Sequence, residues 1–181
     1  MSFHDLRGFL SRLSARGDLL QVDEPVDPVL ESTALCQRAL REQGPALLLR
    51  RPVGSDHALL GNLFGHRRRI ELALGDRPLS SLRELGQLLA RLKEPEWPGS
   101  MRDALHAWPG LAQLAHAAPR RTPEAAFCEQ VFEGPDVDLS RLPIQRCWPE
   151  DVDRLLTFGL VVTRGPLQRR QNLAIYRQQP I

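Results

Sequence analysis

The hydrophobic period of residues 1–75 switches between helix and strand several times, and no other feature narrows the possible folds as far. Ser2-x-x-Asp5 reads as a capping pattern, after which Leu6, Phe9, Leu10 and Leu13 recur at helical spacing until Gly17 offers a C-terminal stop. Leu19 to Val22 has the character of a short strand. Asp27-Pro28 supplies an N-cap and a proline at the first helical position for a second helix, which carries Leu30, Ala34, Leu35 and Leu40 and ends at Gly44-Pro45. Ala46 to Leu49 and Ala58 to Leu60 are short apolar runs flanked by turn residues, as buried strands are. Ser81-Leu82-Arg83-Glu84 then opens a helix whose Leu82, Leu85, Leu88, Leu89 and Leu92 form one stripe expected to pack into a core. Helices alternating with strands in this way imply an α/β domain.

Beyond residue 94 the pattern changes. Pro95, Pro98, Pro109 and Pro119 leave room only for short helices such as Ser100 to Ala107, so this stretch reads as a connector. After Pro123, Phe127 to Phe132 and Leu155 to Thr163 are rich in β-formers, and Arg164-Gly165-Pro166 is a turn leading into a strand-like Gln171 to Gln179. The expected organisation is an α/β domain with its proline-rich connector over residues 1–122, followed by the start of an antiparallel β domain over residues 123–181. Two or three strands cannot close a barrel or cover a sheet face, so the second domain reads as incomplete.

Composition excludes several classes of function. A formal charge of +2 is too small to argue for nucleic acid, and none is expected as a partner. The densest basic run, His66-Arg67-Arg68-Arg69, precedes Ile70, Leu72, Ala73 and Leu74 and is read as the solvated first turn of a helix. Cys36, Cys128 and Cys147 are odd in number and widely spaced, which suits reduced thiols. No apolar run is long enough for a membrane span, and the N-terminus lacks the form of a secretory signal, so a cytoplasmic location is expected. The dinucleotide, P-loop, zincin and hydrolase motifs are all absent.

Three local stretches retain some chemical interest. Gly61-Asn62-Leu63-Phe64-Gly65 is a glycine-flanked turn after a strand, a weak phosphate-binding signal beside a plain turn. Cys147-Trp148-Pro149-Glu150-Asp151 is acidic and aromatic but suits a loop. In Arg170-Gln171-Asn172-Leu173-Ala174-Ile175-Tyr176-Arg177, Asn172 can offer a neutral oxygen to a hard cation, and Arg177 a planar fork to a carboxylate or phosphate. The competing reading is an edge strand with polar residues facing outward. Asn172 and Arg177 are five apart, so a flat strand would send them to opposite faces, and serving one site would require a bulge or turn between them.

NLFG at 62–65, LREL at 82–85, LLARLKEP at 88–95, PIQRCWPED at 143–151, VTRGP at 162–166 and RQNLAIYRQQ at 170–179, taken together and in order, resemble the UbiD family of decarboxylases. The resemblance runs through essentially the whole chain but covers only the N-terminal part of such proteins. It implies an N-terminal α/β domain followed by the start of a split β-barrel of flavin-reductase type. It further implies prenylated FMN with a divalent metal, typically Mn2+, supplied with cofactor by a flavin prenyltransferase. By the match, Asn172 would be a metal ligand, Ile175, Tyr176 and Arg177 would line the flavin, and Arg177 would also lie near the substrate carboxylate as the catalytic residue. Ala174 departs from the glycine common in close relatives, and Pro180 departs from an expected apolar strand residue.

The implied activity is non-oxidative decarboxylation of 3-polyprenyl-4-hydroxybenzoate to 2-polyprenylphenol in ubiquinone biosynthesis. The resemblance also implies a homo-oligomer, often a hexamer, working at the inner face of the cell membrane on a polyprenylated aromatic acid. The second metal carboxylate and the proton donor match nothing in residues 1–181, so the chain alone is expected to be inactive. A non-catalytic flavin-binding or assembly module of the same fold is the alternative.

Overall fold

The computed structural model describes residues 3, 5–93, 130–167 and 171–180. They fall into two compact units, one of Met1–Asp76 with Val137–Ile181 and one of Arg77–Asp136. In the first unit, helix α1 (Leu6–Ala15) leads to strand β1 (Leu19–Val26), helix α2 (Glu31–Arg41) and strands β2 (Ala46–Pro52) and β3 (Leu59–Gly61), then helix α3 (Arg67–Ala73). A mixed α/β fold is therefore observed. The strand order is β1-β2-β3, with β1 parallel to β2 and β3 antiparallel to it. Parallel pairing requires a crossover, and α2 supplies it.

Alternation along β2 builds two small cores. Ala46 joins Phe9, Leu13 and Leu72 from α1 and α3, whereas Leu47 and Leu49 join Val26 and Ala39, the latter from α2. The helices thus cover opposite faces of a sheet whose central strand is buried at Ala46, Leu47 and Leu49. Pro25 lacks an N–H for the ladder. It sits on edge strand β1, where the register shifts between Val22↔Leu49 and Pro25↔Arg51.

Two helix starts differ from the sequence reading. Asp5 caps α1 by accepting from the Gly8 N–H at 2.8 Å, while Ser2 lies outside the described residues. Helix α2 begins at Glu31 rather than at Pro28, because Leu30 adopts φ 66°, ψ −44° and Glu31 N–H donates to the Val29 carbonyl at 2.8 Å. That is a classic γ-turn, a strained conformation for a side chain branched like leucine. Asp27 still organises the entry: its carboxylate accepts from Val29 N–H, and its own N–H donates to Glu31 Oε2, each at 2.7 Å.

The basic run is not wholly solvated. His66 caps α3 through Nδ1, and Arg67 pairs with Glu71 at the surface, but Arg69 is 1% exposed. Its guanidinium donates to three backbone carbonyls, of Leu63, Gly44 and Asn62, each at 2.9 Å. Asn62, at φ 51°, adds a bond from Nδ2 to the Pro45 carbonyl at 2.9 Å. The glycines flanking this turn answer to packing: a Cβ at Gly61 would overlap Cys36 Sγ, and one at Gly65 would overlap Asn62 Oδ1.

In the second unit, α4 (Ser81–Lys93) forms where its capping box lies, yet Leu82, Leu85 and Leu89 are exposed, so they are not the core stripe expected. Gln130, Val131 and Phe132 form no strand, and the 3-10 turn Gly134–Asp136 follows them. The proposed helix at 100–107 and most of the connector lie outside the described residues.

The remaining chain returns to the first unit. Val29 and Arg146 form a parallel bridge, with Leu30 N–H donating to the Arg146 carbonyl at 2.9 Å. Gln145 Nε2 donates to the buried Ser32 hydroxyl at 2.9 Å, and Ser55 donates to the Arg141 carbonyl at 2.6 Å. Strands β4 (Leu160–Arg164) and β5 (Gln171–Ile175) then form an antiparallel pair.

Two outcomes follow from this packing. Replacing Arg69 by methionine keeps the apolar stem but removes a charged donor from three carbonyls, and urea unfolding is expected to show a loss of about 2–4 kcal/mol. Lysine, without the guanidinium fork, should restore only part of it. Burial pushes the Cys36 thiol above its usual 9.0, opposed by the Asn62 N–H and helped by nearby Cys147. The folded state therefore holds this proton more tightly, so stability is intact below the unfolded thiol value and declines as pH rises past it. Iodoacetamide at pH 8 should alkylate Cys36 at least about tenfold more slowly in the folded chain than in urea.

Candidate functional site

The residues singled out at the C-terminal end lie on and just beyond β5. Its ladder with β4 is regular from Arg164↔Gln171 through Thr163↔Asn172 to Leu160↔Ile175. Pairing resumes at Leu156↔Gln178, where reciprocal backbone bonds measure 2.8 and 3.1 Å. The register has slipped by one residue, so Thr157, Phe158 and Gly159 face only Tyr176 and Arg177. This is a β-bulge, and its extra residue sits on the strand opposite the candidates.

Asn172 and Tyr176 are brought together. Four residues apart on an extended segment, they share a face, and Asn172 Nδ2 donates to the Tyr176 hydroxyl at 3.3 Å. The phenol ring therefore leans back along β5. With its nitrogen engaged, the amide presents Oδ1 as the atom that a hard cation would take.

Ile175 is placed differently. Cross-strand partners share a face, so Leu160 with Ile175, and Val162 with Leu173, make one apolar side of the ribbon, opposite Asn172. All four are 59–69% exposed. Arg177 follows Tyr176 at the bulge, and it is exposed, as are Asn172 and Tyr176. A flat cofactor could meet an apolar wall at Ile175 and a polar group at Tyr176 only where the ribbon turns, and the bulge lies at that junction.

The donor set tests the metal expectation. Asn172 contributes one neutral oxygen, and no group of three or more His, Cys, Asp or Glu side chains capable of holding a metal occurs among the described residues. A divalent cation of the Mg2+ or Mn2+ type seeks six oxygen donors with carboxylates among them, so these residues do not by themselves make a metal site.

In the Cys147–Asp151 stretch, Asp151 has structural work. Asp151 accepts from the Trp148 N–H at 2.9 Å and closes the turn that follows Cys147. Arg146 donates to the Pro149 carbonyl at 2.7 Å and holds the same turn. The sequence reading missed Phe158, a strand-like residue whose ring approaches Phe64, with centroids 6.4 Å apart.

Comparison with known proteins places these elements. The sequence model of the 3-octaprenyl-4-hydroxybenzoate carboxy-lyase N-terminal domain matches residues 10–89, and that of the Rift-related domain of the same carboxy-lyase matches residues 120–181. An evolved dimeric form of the UbiD-class enzyme HmfF from Pelotomaculum thermopropionicum, in complex with prenylated FMN, is 26% identical with a TM-score of 0.71. That match covers 98% of this chain and 36% of the other. The same enzyme in complex with FMN gives 26% identity and a TM-score of 0.70, over 97% and 34% of the two chains. Vanillic acid decarboxylase of Sedimentibacter hydroxybenzoicus, in open form, shares the fold at 22% identity and a TM-score of 0.67, over 100% and 35%. The chain spans about a third of the length of each of these structures. With both domain models matched in order along one sequence, the chain belongs to the UbiD family.

Proposed function

We propose that this chain is the N-terminal segment of a prenylated-FMN-dependent decarboxylase acting on an aromatic acid. The observation that carries the reading is the likeness, over 98% of the chain, to a UbiD-class enzyme with prenylated FMN bound. The substrate we assign is 3-polyprenyl-4-hydroxybenzoate, supported by the description of the two matching domains. Its product is 2-polyprenylphenol, and the pathway is ubiquinone biosynthesis. In this reading residues 1–122 are the α/β domain with its connector, and residues 123–181 begin a split barrel that further strands complete.

When bound, prenylated FMN supplies the electron sink for loss of carbon dioxide. The protein side of the reaction is binding and orientation. Tyr176 and Ile175 would pack against the flavin. Arg177 would hold the substrate carboxylate in a bidentate grip, which keeps it ionised and aligned until it leaves. Asn172, steadied by Tyr176, would contribute one oxygen to a Mn2+ ion whose carboxylate ligands come from outside the described residues. The chain alone is therefore inactive in this proposal. A homo-oligomer working at a membrane surface also belongs to it, and no described helix is long and apolar enough to cross a membrane.

A second reading, a flavin-binding or assembly module without turnover, draws on the open apolar side formed by Leu160, Val162, Leu173 and Ile175. Carbon dioxide release separates the two. A protein containing this segment, loaded with prenylated FMN and Mn2+, should decarboxylate the polyprenylated acid, whereas flavin binding without turnover would favour the module. In the active protein, Arg177→Ala is expected to lower kcat/KM by about 100-fold or more, with the flavin absorbance retained and little rescue by lysine. Asn172→Ala should weaken Mn2+ binding by about tenfold or more, read by metal titration. Unchanged kinetics in the first variant or unchanged affinity in the second would remove that residue from its assigned role.

A further inference from the structure

Four phenylalanines connect the first helix to the bulge. Phe3 and Phe9 meet edge to face, with centroids 5.0 Å apart at 67°; Phe9 and Phe64 are 6.3 Å apart, and Phe64 and Phe158 are 6.4 Å apart at 49°. All three spacings fall in the range of attractive aromatic pairs. The chain of rings starts in the core, where Phe9 is 6% exposed, and ends at Phe158, which is 77% exposed. Phe158 is the middle of the three residues that face Tyr176 and Arg177.

The inner end of this chain is rigid. The Asn62 and Leu63 carbonyls just before Phe64 accept from the buried Arg69 guanidinium, and the Asn62 side chain is tied to the Pro45 carbonyl. Gly65 closes the turn against Asn62, where a Cβ has no room. The outer end is not self-supporting, because a bulge interrupts its ladder and both strands are exposed.

We propose that Phe64 is a positioning residue: its ring, fixed by the clamped Asn62–Gly65 turn, docks Phe158 and thereby sets the bulge that aims Tyr176 and Arg177. The proposal rests on the functional reading only in calling that segment a cofactor site. The NLFG turn, whose glycines would otherwise suggest phosphate binding, then serves as a mount for the aromatic ring.

Tyr176 is the only tyrosine in the chain, so 3-fluorotyrosine labelling gives a single 19F resonance at the site. In Phe64→Ala that resonance should shift or broaden, and the Leu156 and Gln178 amides should exchange with solvent at least about tenfold faster. The Leu47 and Leu49 amides in β2 should keep their protection, which shows that the α/β core remains folded. Phe158→Ala, at a surface position, should reproduce both changes, the double variant should add nothing further, and Phe64→Trp, which keeps an aromatic ring without adding a second tyrosine, should restore the original signals. A fluorine resonance and bulge amides unmoved in Phe158→Ala would overturn the proposal. So would effects of the two variants that simply add. These readouts need no flavin, so failure of the unaltered protein to bind prenylated FMN would count against the functional reading alone.

Discussion

The buried guanidinium of Arg69 is the interaction on which the first unit depends. Three segments that do not hydrogen-bond one another in a regular ladder meet at it: the end of α2 at Gly44, the turn at Asn62 and Leu63, and α3 itself. A buried charge is costly, and burial lowers the pKa of this group, with Asp18 opposing the shift. The cost is offset because three carbonyls each accept a charge-assisted hydrogen bond from the one guanidinium. A hydrophobic side chain could fill the volume, but it could not hold the three segments in a fixed relation.

The C-terminal segment depends on contacts of a different kind. Leu30 accepts a strained γ-turn, and its N–H is thereby free to donate to Arg146 instead of continuing a helix backwards toward Pro28. Ser32, in the first turn of the crossover helix, meets Gln145. The strain is located where two distant parts of the chain join. Strain of this kind survives only when the surrounding bonds determine it more strongly than local preference does.

These two features also show what could be read in the sequence. Helix and strand alternation was legible because period and turn residues are local, and five of the elements of the first unit lie close to where the pattern places them. Arg69 was not, because a run of arginines looks solvated. The available signal was its spacing from Leu72, three residues on, which puts both on the buried side of α3. The start of α2 was misread because its backbone is decided by Arg146, far along the chain. At the C-terminus, the i, i+4 spacing of Asn172 and Tyr176 could be read as a shared face. The bulge could not, since its extra residue belongs to the facing strand and its register is set at Leu156.

The bond between Gln145 and Ser32 joins residues 113 positions apart, and that between Ser55 and Arg141 spans 86. During synthesis, α1 through α3 can collapse on their own sheet while the segment that docks on Ser32 has yet to leave the ribosome. The start of α2 has its local bonds to Asp27, but the Leu30 N–H gains its Arg146 partner only once residue 146 has been made. Chain order thus makes this junction a contact of high sequence separation, available only after the local contacts of the α/β half.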